Sequence, residues 1–345
     1  MNFLVYLLPF IFLIFGIFTI FNSKYIFKSY KYLLFFLLLP ALLVVLLSGD
    51  TGTDKASYYV WIAYTFNGNA DKILYEPGFK LLTYLLSLIY PHEYFIVPVI
   101  GFLTTLFLVL AFSGSKWQLI IFAFLLFPFF YFDMTMNGLR YGLSFAISAY
   151  AAKQIVQGNI KMFLLFGLLA VSMQYSSLII IILVFLTQVK IKKIFLFMLI
   201  ILSFALLNFF DLSYFSSKVD AYKDLVRPSG ISGLSPLLIF SLFFLLNKCL
   251  HKKIDFIFYI IFLLEILSFI LSLSSYSGLR FQNLCIFVLL IFMAFFQKTR
   301  PFKKKYIVFF LILGVLCFSL KIRNFLTEEE GVTTPFLPYK FYWER

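Results

Sequence analysis

Charge is what this chain has least of. Acidic and basic residues together make up 13% of its 345 positions, whereas soluble globular proteins carry about 25%. A soluble globule is therefore excluded. Cysteine is nearly absent too, and Cys249, Cys285 and Cys317 lie far apart in or beside apolar runs, which suggests neither a disulfide framework nor a metal cluster. The two histidines, His92 and His251, fall on opposite sides of the topology derived below and make no metal pair. No Asp-x-Asp pair occurs in the polar loops, which speaks against a bound divalent cation. Low-complexity tracts, polar linkers and internal repeats are missing as well.

What is there is hydrocarbon. Hydrophobic residues make up 63% of the chain, 50 of them are Phe, and the mean hydropathy is +0.99. The expectation is an all-α, polytopic membrane protein forming one integral membrane domain over 1–345. Its first apolar run has no basic leader and no small-residue cleavage site, so it reads as a retained span. Runs near the ~20 residues needed to cross a bilayer fall at 3–22, 32–48, 94–112, 117–132, 139–156, 160–174, 176–189, 194–212, 235–249, 254–272, 280–297 and 305–321. That makes about twelve transmembrane helices. The apolar segment 79–90 is too short to cross, and is expected as a re-entrant or interfacial helix.

Charge checks this assignment. With 79–90 on one side of the membrane, the lysines at 24–31, 116, 153, 161, 190–193, 248–253 and 298–305 gather on a single face with Arg300, and Asp255 is the one acid among them. By the positive-inside rule this face is cytoplasmic. If 79–90 crossed, every later lysine cluster would change sides. The net charge of +14 is thus a matter of topology, and it gives no reason to expect a nucleic-acid partner.

The chemistry collects on the other face. Its polar segments are 49–78, 133–139, 211–234, 273–280 and a tail, 322–345. They carry Asp54, Tyr58, Tyr75 and Glu76; then Asp133 and Asn137, followed by Arg140 and Tyr141 opening a helix; then Arg227; then Tyr276 and Arg280, again opening a helix. Gly-Leu-Arg precedes a long apolar run twice, at Arg140 and at Arg280. An arginine beside hydrocarbon costs at least ~2.5 kcal/mol, so it usually faces a polar cavity or an anion. Carboxylates, arginines and aromatic rings together suit a saccharide-phosphate ligand. An aromatic belt at the membrane interface is the plainer reading of Tyr58, Tyr59, Trp61, Tyr339, Tyr342 and Trp343.

Taken in order, these residues carry a resemblance. Gly-Thr-Asp54 with Tyr58, Glu76-Pro-Gly-Phe, Asn137-Gly-Leu-Arg140-Tyr-Gly, Met173-Gln-Tyr-Ser-Ser, Arg280 at a late helix start and Pro338-Tyr in the tail together resemble the EpsG-type branch of the Wzy polysaccharide polymerases, over nearly the whole chain. The chain departs from that pattern at Tyr141, where Gln is usual, and at Gln174, where His is usual. The resemblance implies a GT-C-like fold in the bacterial cytoplasmic membrane, with the active site facing outward. It also implies transfer of a growing glycan from undecaprenyl diphosphate to another lipid-linked repeat unit. No nucleotide, metal or other cofactor is implied, because the donor already carries its leaving group. Membrane lipids and a chain-length regulator are the implied partners beside the lipid-linked oligosaccharides. In these terms Arg140, Arg280 and Arg227 bind diphosphate. The general base is one of Asp54, Glu76 and Asp133, with Asp54 favoured because it lies in the Gly-Thr-Asp stretch. Tyr58, Tyr75, Asn137, Tyr141, Tyr276 and Glu265 contact glycan or support the site.

Glu265 lies mid-span, where a carboxylate must be paired or protonated; it either orients an arginine or bonds to a neighbouring helix. Two other functions fit the composition. A lipid-linked oligosaccharide flippase would line a central path with its charges. A membrane O-acyltransferase would present a catalytic histidine on a helix.

Overall fold

The computed structural model describes residues 3–22, 30–67, 75–187, 233–250, 256–273, 275–296, 305–327 and 333–344. They form thirteen helices: α1 (Leu4–Asn22), α2 (Lys31–Leu47), α3 (Lys55–Phe66), α4 (Pro77–Ile89), α5 (Glu93–Phe112), α6 (Lys116–Asn137), α7 (Leu139–Val156), α8 (Ile160–Met173), α9 (Ser177–Leu186), α10 (Leu234–Leu250), α11 (Phe256–Ser272), α12 (Tyr276–Phe296) and α13 (Lys305–Leu326). The expected span 194–212 and Arg227 lie outside the described residues. Four helices, α5, α6, α12 and most of α13, are long and apolar enough to cross a membrane, and seven shorter apolar helices accompany them among the described residues. The chain divides into two compact units. Residues 1–177 with 302–345 make the first, and residues 178–301 make the second.

In the first unit the helices run between two distinct ends. At one end Tyr30 N donates to Ser113 O at 3.1 Å, Lys116 Nζ to Ile20 O at 3.4 Å, and Lys153 Nζ to Leu110 O. At the other, the segment after α2 meets the tail and the end of α6: Gly49 N donates to Lys340 O at 2.8 Å, and Thr53 Oγ1 to Asn137 Oδ1 at 3.0 Å. Of the lysines that the charge pattern grouped together, Lys31, Lys116 and Lys153 thus share one end of this unit, and the segments around Gly49, Asn137 and Lys340 meet at the opposite one.

Helix α4 begins and finishes at that second end. Its N-cap, Glu76, meets Arg140 at the start of α7, and Tyr94, just beyond it, donates its hydroxyl to Asp50 Oδ1 at 2.8 Å. It therefore does not carry the chain across the unit, as its length foretold. Phe79 and Thr83 face inward, while Leu81, Leu85, Leu88 and Ile89 form an exposed apolar face.

Three segments expected as loops are partly helical. Region 49–78 contains α3, and 273–280 contains the first turn of α12. The stretch 133–137 continues α6 as a π-helical turn. A first π segment, Ile121–Leu126, lies just before Pro128, whose missing N–H removes the α-helical donor four residues on from the Phe124 carbonyl. The second π turn sets the start of α7 against the end of α6 so closely that a Cβ on Gly142 would lie 2.0 Å from the Met134 carbonyl oxygen. Glycine is the residue that fits there. The rest of α7 buries a small-residue face, including Ser144, Ala146, Ser148, Ala149 and Ala152, against α5 and α8.

Candidate functional site

Arg140 is the centre of the polar end of the first unit. Because α7 starts at Leu139, its side chain leaves the first helical turn beside the α6 terminus. Its Nη1 donates to Glu76 Oε2 at 2.7 Å, and the guanidinium carbon stands 4.3 Å from the centre of the Tyr75 ring. The backbone N–H of Arg140 donates to the Tyr58 hydroxyl at 3.4 Å. Glu76 is almost wholly enclosed, with its side chain 1% exposed, while that of Arg140 keeps 16% open. The Nε–H of Arg140 is buried and makes no well-aligned hydrogen bond among the described residues, although the Tyr58 hydroxyl lies close enough to the guanidinium to influence it. The part of the guanidinium side chain that stays open leaves room for an anion to approach it from outside.

Aromatic rings wall the guanidinium. Tyr75 lies 6.0 Å from Tyr58, 5.4 Å from Phe79 and 5.6 Å from Trp61. Burial raises the pKa of both Tyr58 and Tyr75, which keeps them neutral phenols at physiological pH. The interface-belt reading fails for Tyr58 and for Tyr339, which are 6% and 2% exposed. Tyr339 instead donates its hydroxyl to Val44 O at 2.7 Å. Tyr342 and Trp343 are exposed.

The Gly-Thr-Asp stretch is held from the α6 side. Asn137 Oδ1 accepts from Asp54 N at 2.7 Å as well as from Thr53 Oγ1. Gly52 has φ +119°, and a Cβ there would lie 2.6 Å from the Met136 carbonyl oxygen. This is a position where only glycine combines the left-handed backbone with the close approach. Asp54 forms the N-cap residue of α3, one helical turn before Tyr58, and its charge is felt at both Tyr58 and Tyr75.

The structure thus brings Asp54, Tyr58, Tyr75, Glu76, Asn137 and Arg140 to one place. Asp133 stands apart in the second π turn, in an ion pair with Lys321 of α13, which corrects its reading as a loop carboxylate. Tyr141 packs over Gly138 and edge-on to Phe145 at 5.6 Å. Arg280 and Tyr276 belong to the second unit, where both are exposed in the first turn of α12. There Glu265 pairs with no arginine among the described residues: its Oε1 accepts from Gln282 Nε2 at 3.1 Å, and the same Nε2 donates to Gly233 O at 3.0 Å. Gln174, at the C-terminal end of α8, donates to Ser176 Oγ at 2.9 Å. Among the described residues no three His, Cys, Asp or Glu side chains come together as a metal site would need.

Sequence reasoning missed Lys55, the first residue of α3. Its Nζ, 1% exposed as a residue, donates to Ser48 O at 3.1 Å and Ser48 Oγ at 2.6 Å. Burial lowers its pKa from 10.5 to about 7, against the opposing attraction of Asp50. The one available signal was a cation directly after Asp54, on the face poor in lysine. Because the folded form holds this proton more weakly than the unfolded chain does, folding stability should rise with pH between about 7 and 10.5. Thermal unfolding in detergent across that range is expected to show this rise in the wild type and to lose part of it in Lys55→Met. Identical slopes would mean that Lys55 is not the group responsible.

An all-helical architecture with membrane-length apolar helices, and a buried arginine-carboxylate-tyrosine cluster at one end of a unit, defines an integral membrane protein with a buried polar cluster. The sequence matches the EpsG family over residues 30–341, and the chain belongs to that family. This gives it a membrane glycan-polymerase-like role. No curated protein and no solved structure matches it.

Proposed function

We propose that this protein lengthens a surface glycan by transferring the growing chain from undecaprenyl diphosphate to the sugar end of a second lipid-linked repeat unit, on the outer face of the bacterial cytoplasmic membrane. The observation that supports it best is Arg140, a guanidinium held by Glu76 and the Tyr75 ring whose side chain stays 16% open at the polar end of the unit. In this reading the acceptor hydroxyl gives its proton to Asp54 and its oxygen attacks the anomeric carbon of the donor sugar. The bond from that carbon to the diphosphate oxygen breaks, and the pair of electrons leaves with the diphosphate. Arg140 meets the charge that develops there. Its setting is poor in water, so the stabilisation is larger than at an open surface. Glu76 and Tyr75 fix the guanidinium plane. Arg280 and Arg227 are the further diphosphate-binding candidates, and Tyr141 and Tyr276 the further glycan contacts. A chain-length regulator fits as a partner of such an enzyme.

The test is reconstitution. Purified protein in vesicles, given undecaprenyl diphosphate-linked repeat units and no nucleotide, should yield a ladder of longer lipid-linked glycans and one free undecaprenyl diphosphate per bond made. Movement of the lipid-linked saccharide across the bilayer with no ladder would identify a flippase instead.

A further inference from the structure

Helix α3 carries Asp54 into the site, and although Lys55 N donates to Gly52 O at 2.8 Å, the side chain at its N-cap does not cap the turn. The first N–H groups of a helix have no partner within it, and an Asp at the N-cap ordinarily supplies one through its carboxylate. Asp54 occupies that position and makes no such bond. The acceptor comes from the other end of the chain. Thr334 Oγ1 accepts from Ala56 N at 3.2 Å, and donates to Gly52 O at 2.7 Å. Thr334 is 3% exposed.

The tail that brings Thr334 there is fastened along its length. Tyr6 donates its hydroxyl to Phe336 O at 2.9 Å, and Lys340 N donates to Thr51 Oγ1 at 3.0 Å. Ser48 and Phe341 form an antiparallel bridge, and Tyr342 N donates to Leu47 O at 3.0 Å. The Gly-Thr-Asp stretch is therefore gripped twice, by Asn137 at Thr53 and Asp54, and by Thr334 at Gly52 and Ala56. Either hydrogen-bond set alone would let the loop pivot about the other.

We infer that Thr334 is a positioning residue of the transfer reaction: by capping α3 from the C-terminal tail, it takes over the bond that Asp54 would otherwise make and fixes where the Asp54 carboxylate points. This rests on the polymerase reading above. It makes the tail part of the site.

The experiment uses three full-length proteins: wild type, Thr334→Val, which keeps the shape and loses the hydroxyl, and Thr334→Ser, which keeps the hydroxyl. Amide exchange in the first turn of α3 needs no activity and reads the cap directly. It is expected to be about five- to tenfold faster in the valine variant and unchanged in the serine one. Polymerisation in vesicles should show kcat about tenfold lower or more in Thr334→Val, with KM within about twofold, and near-normal kcat in Thr334→Ser. If the valine protein does not accumulate, Thr334→Ala, which adds no atoms, takes its place. Wild-type kcat in the valine variant overturns the inference, whether or not exchange quickens. So does a serine variant as slow as valine. Should the wild type make no polymer at all, the polymerase reading has failed and the positioning role goes with it, while the exchange result still decides whether the tail caps α3.

Discussion

Arg140→Ala is expected to abolish long glycan chains in cells while single-repeat surface glycan persists, with a fall in the reconstituted rate of about 10²-fold or more. The substitution also strands Glu76, whose side chain is 1% exposed, as a buried carboxylate without its partner. Lost activity could then reflect lost protein. The double variant Arg140→Ala with Glu76→Gln removes both charges, and it should restore protein abundance without restoring polymer. Arg140→Lys should rescue poorly, since an ammonium cannot at once hold Glu76, lie flat over the Tyr75 ring and offer a planar fork of donors to a ligand. Normal chain length in the double variant would make the pair a structural feature and remove Arg140 from the reaction.

Asp133→Ala is expected to cost stability rather than chemistry. It leaves the Lys321 ammonium in a setting where the side chain is only 17% exposed. Breaking one side of such a pair costs about 3–5 kcal/mol, and in a chain of this size that corresponds to about 4–7 °C in apparent melting temperature. Asp133→Leu combined with Lys321→Met removes both charges and should recover most of the loss. Polymerisation by that double variant also separates the candidate bases. Activity near wild type would take Asp133 off the list, and a folded but inactive double variant would put it ahead of Asp54. An unchanged melting temperature in Asp133→Ala would show that the pair does not hold α6 to α13.

Much of this site was legible in one dimension. Arg140 stood out because a fixed charge at the start of an apolar run needs a reason. Asp54, Glu76 and Asn137 stood out because they lie in polar stretches that the charge pattern puts on the same side. The failure of α4 to cross was legible for the same cause, since a crossing there would have scattered the lysines over both faces. Region 49–78 hid its helix because α3 is rich in aromatic and β-branched residues and is not apolar enough to stand out as a span. Asp133 was misread because a π turn extends α6 through residues that look like a loop. Tyr58 and Tyr339 were misplaced because aromatic rings near a membrane surface have the same composition whether they face lipid or pack inward.

The sequence by itself determined the class of protein, the polar segments that meet at one end of the first unit and the arginine that stands among them. Hydrophobic run length and the sidedness of lysines are properties of position along the chain, and the bilayer enforces both. Only the tertiary structure decided which groups meet: Glu76 with Arg140 across 64 residues, Lys321 with Asp133 across 188, and Thr334 with Ala56 across 278. Hydrogen bonds and ion pairs act over about 3 Å. No residue's identity states which distant partner the packed helices will bring within that reach.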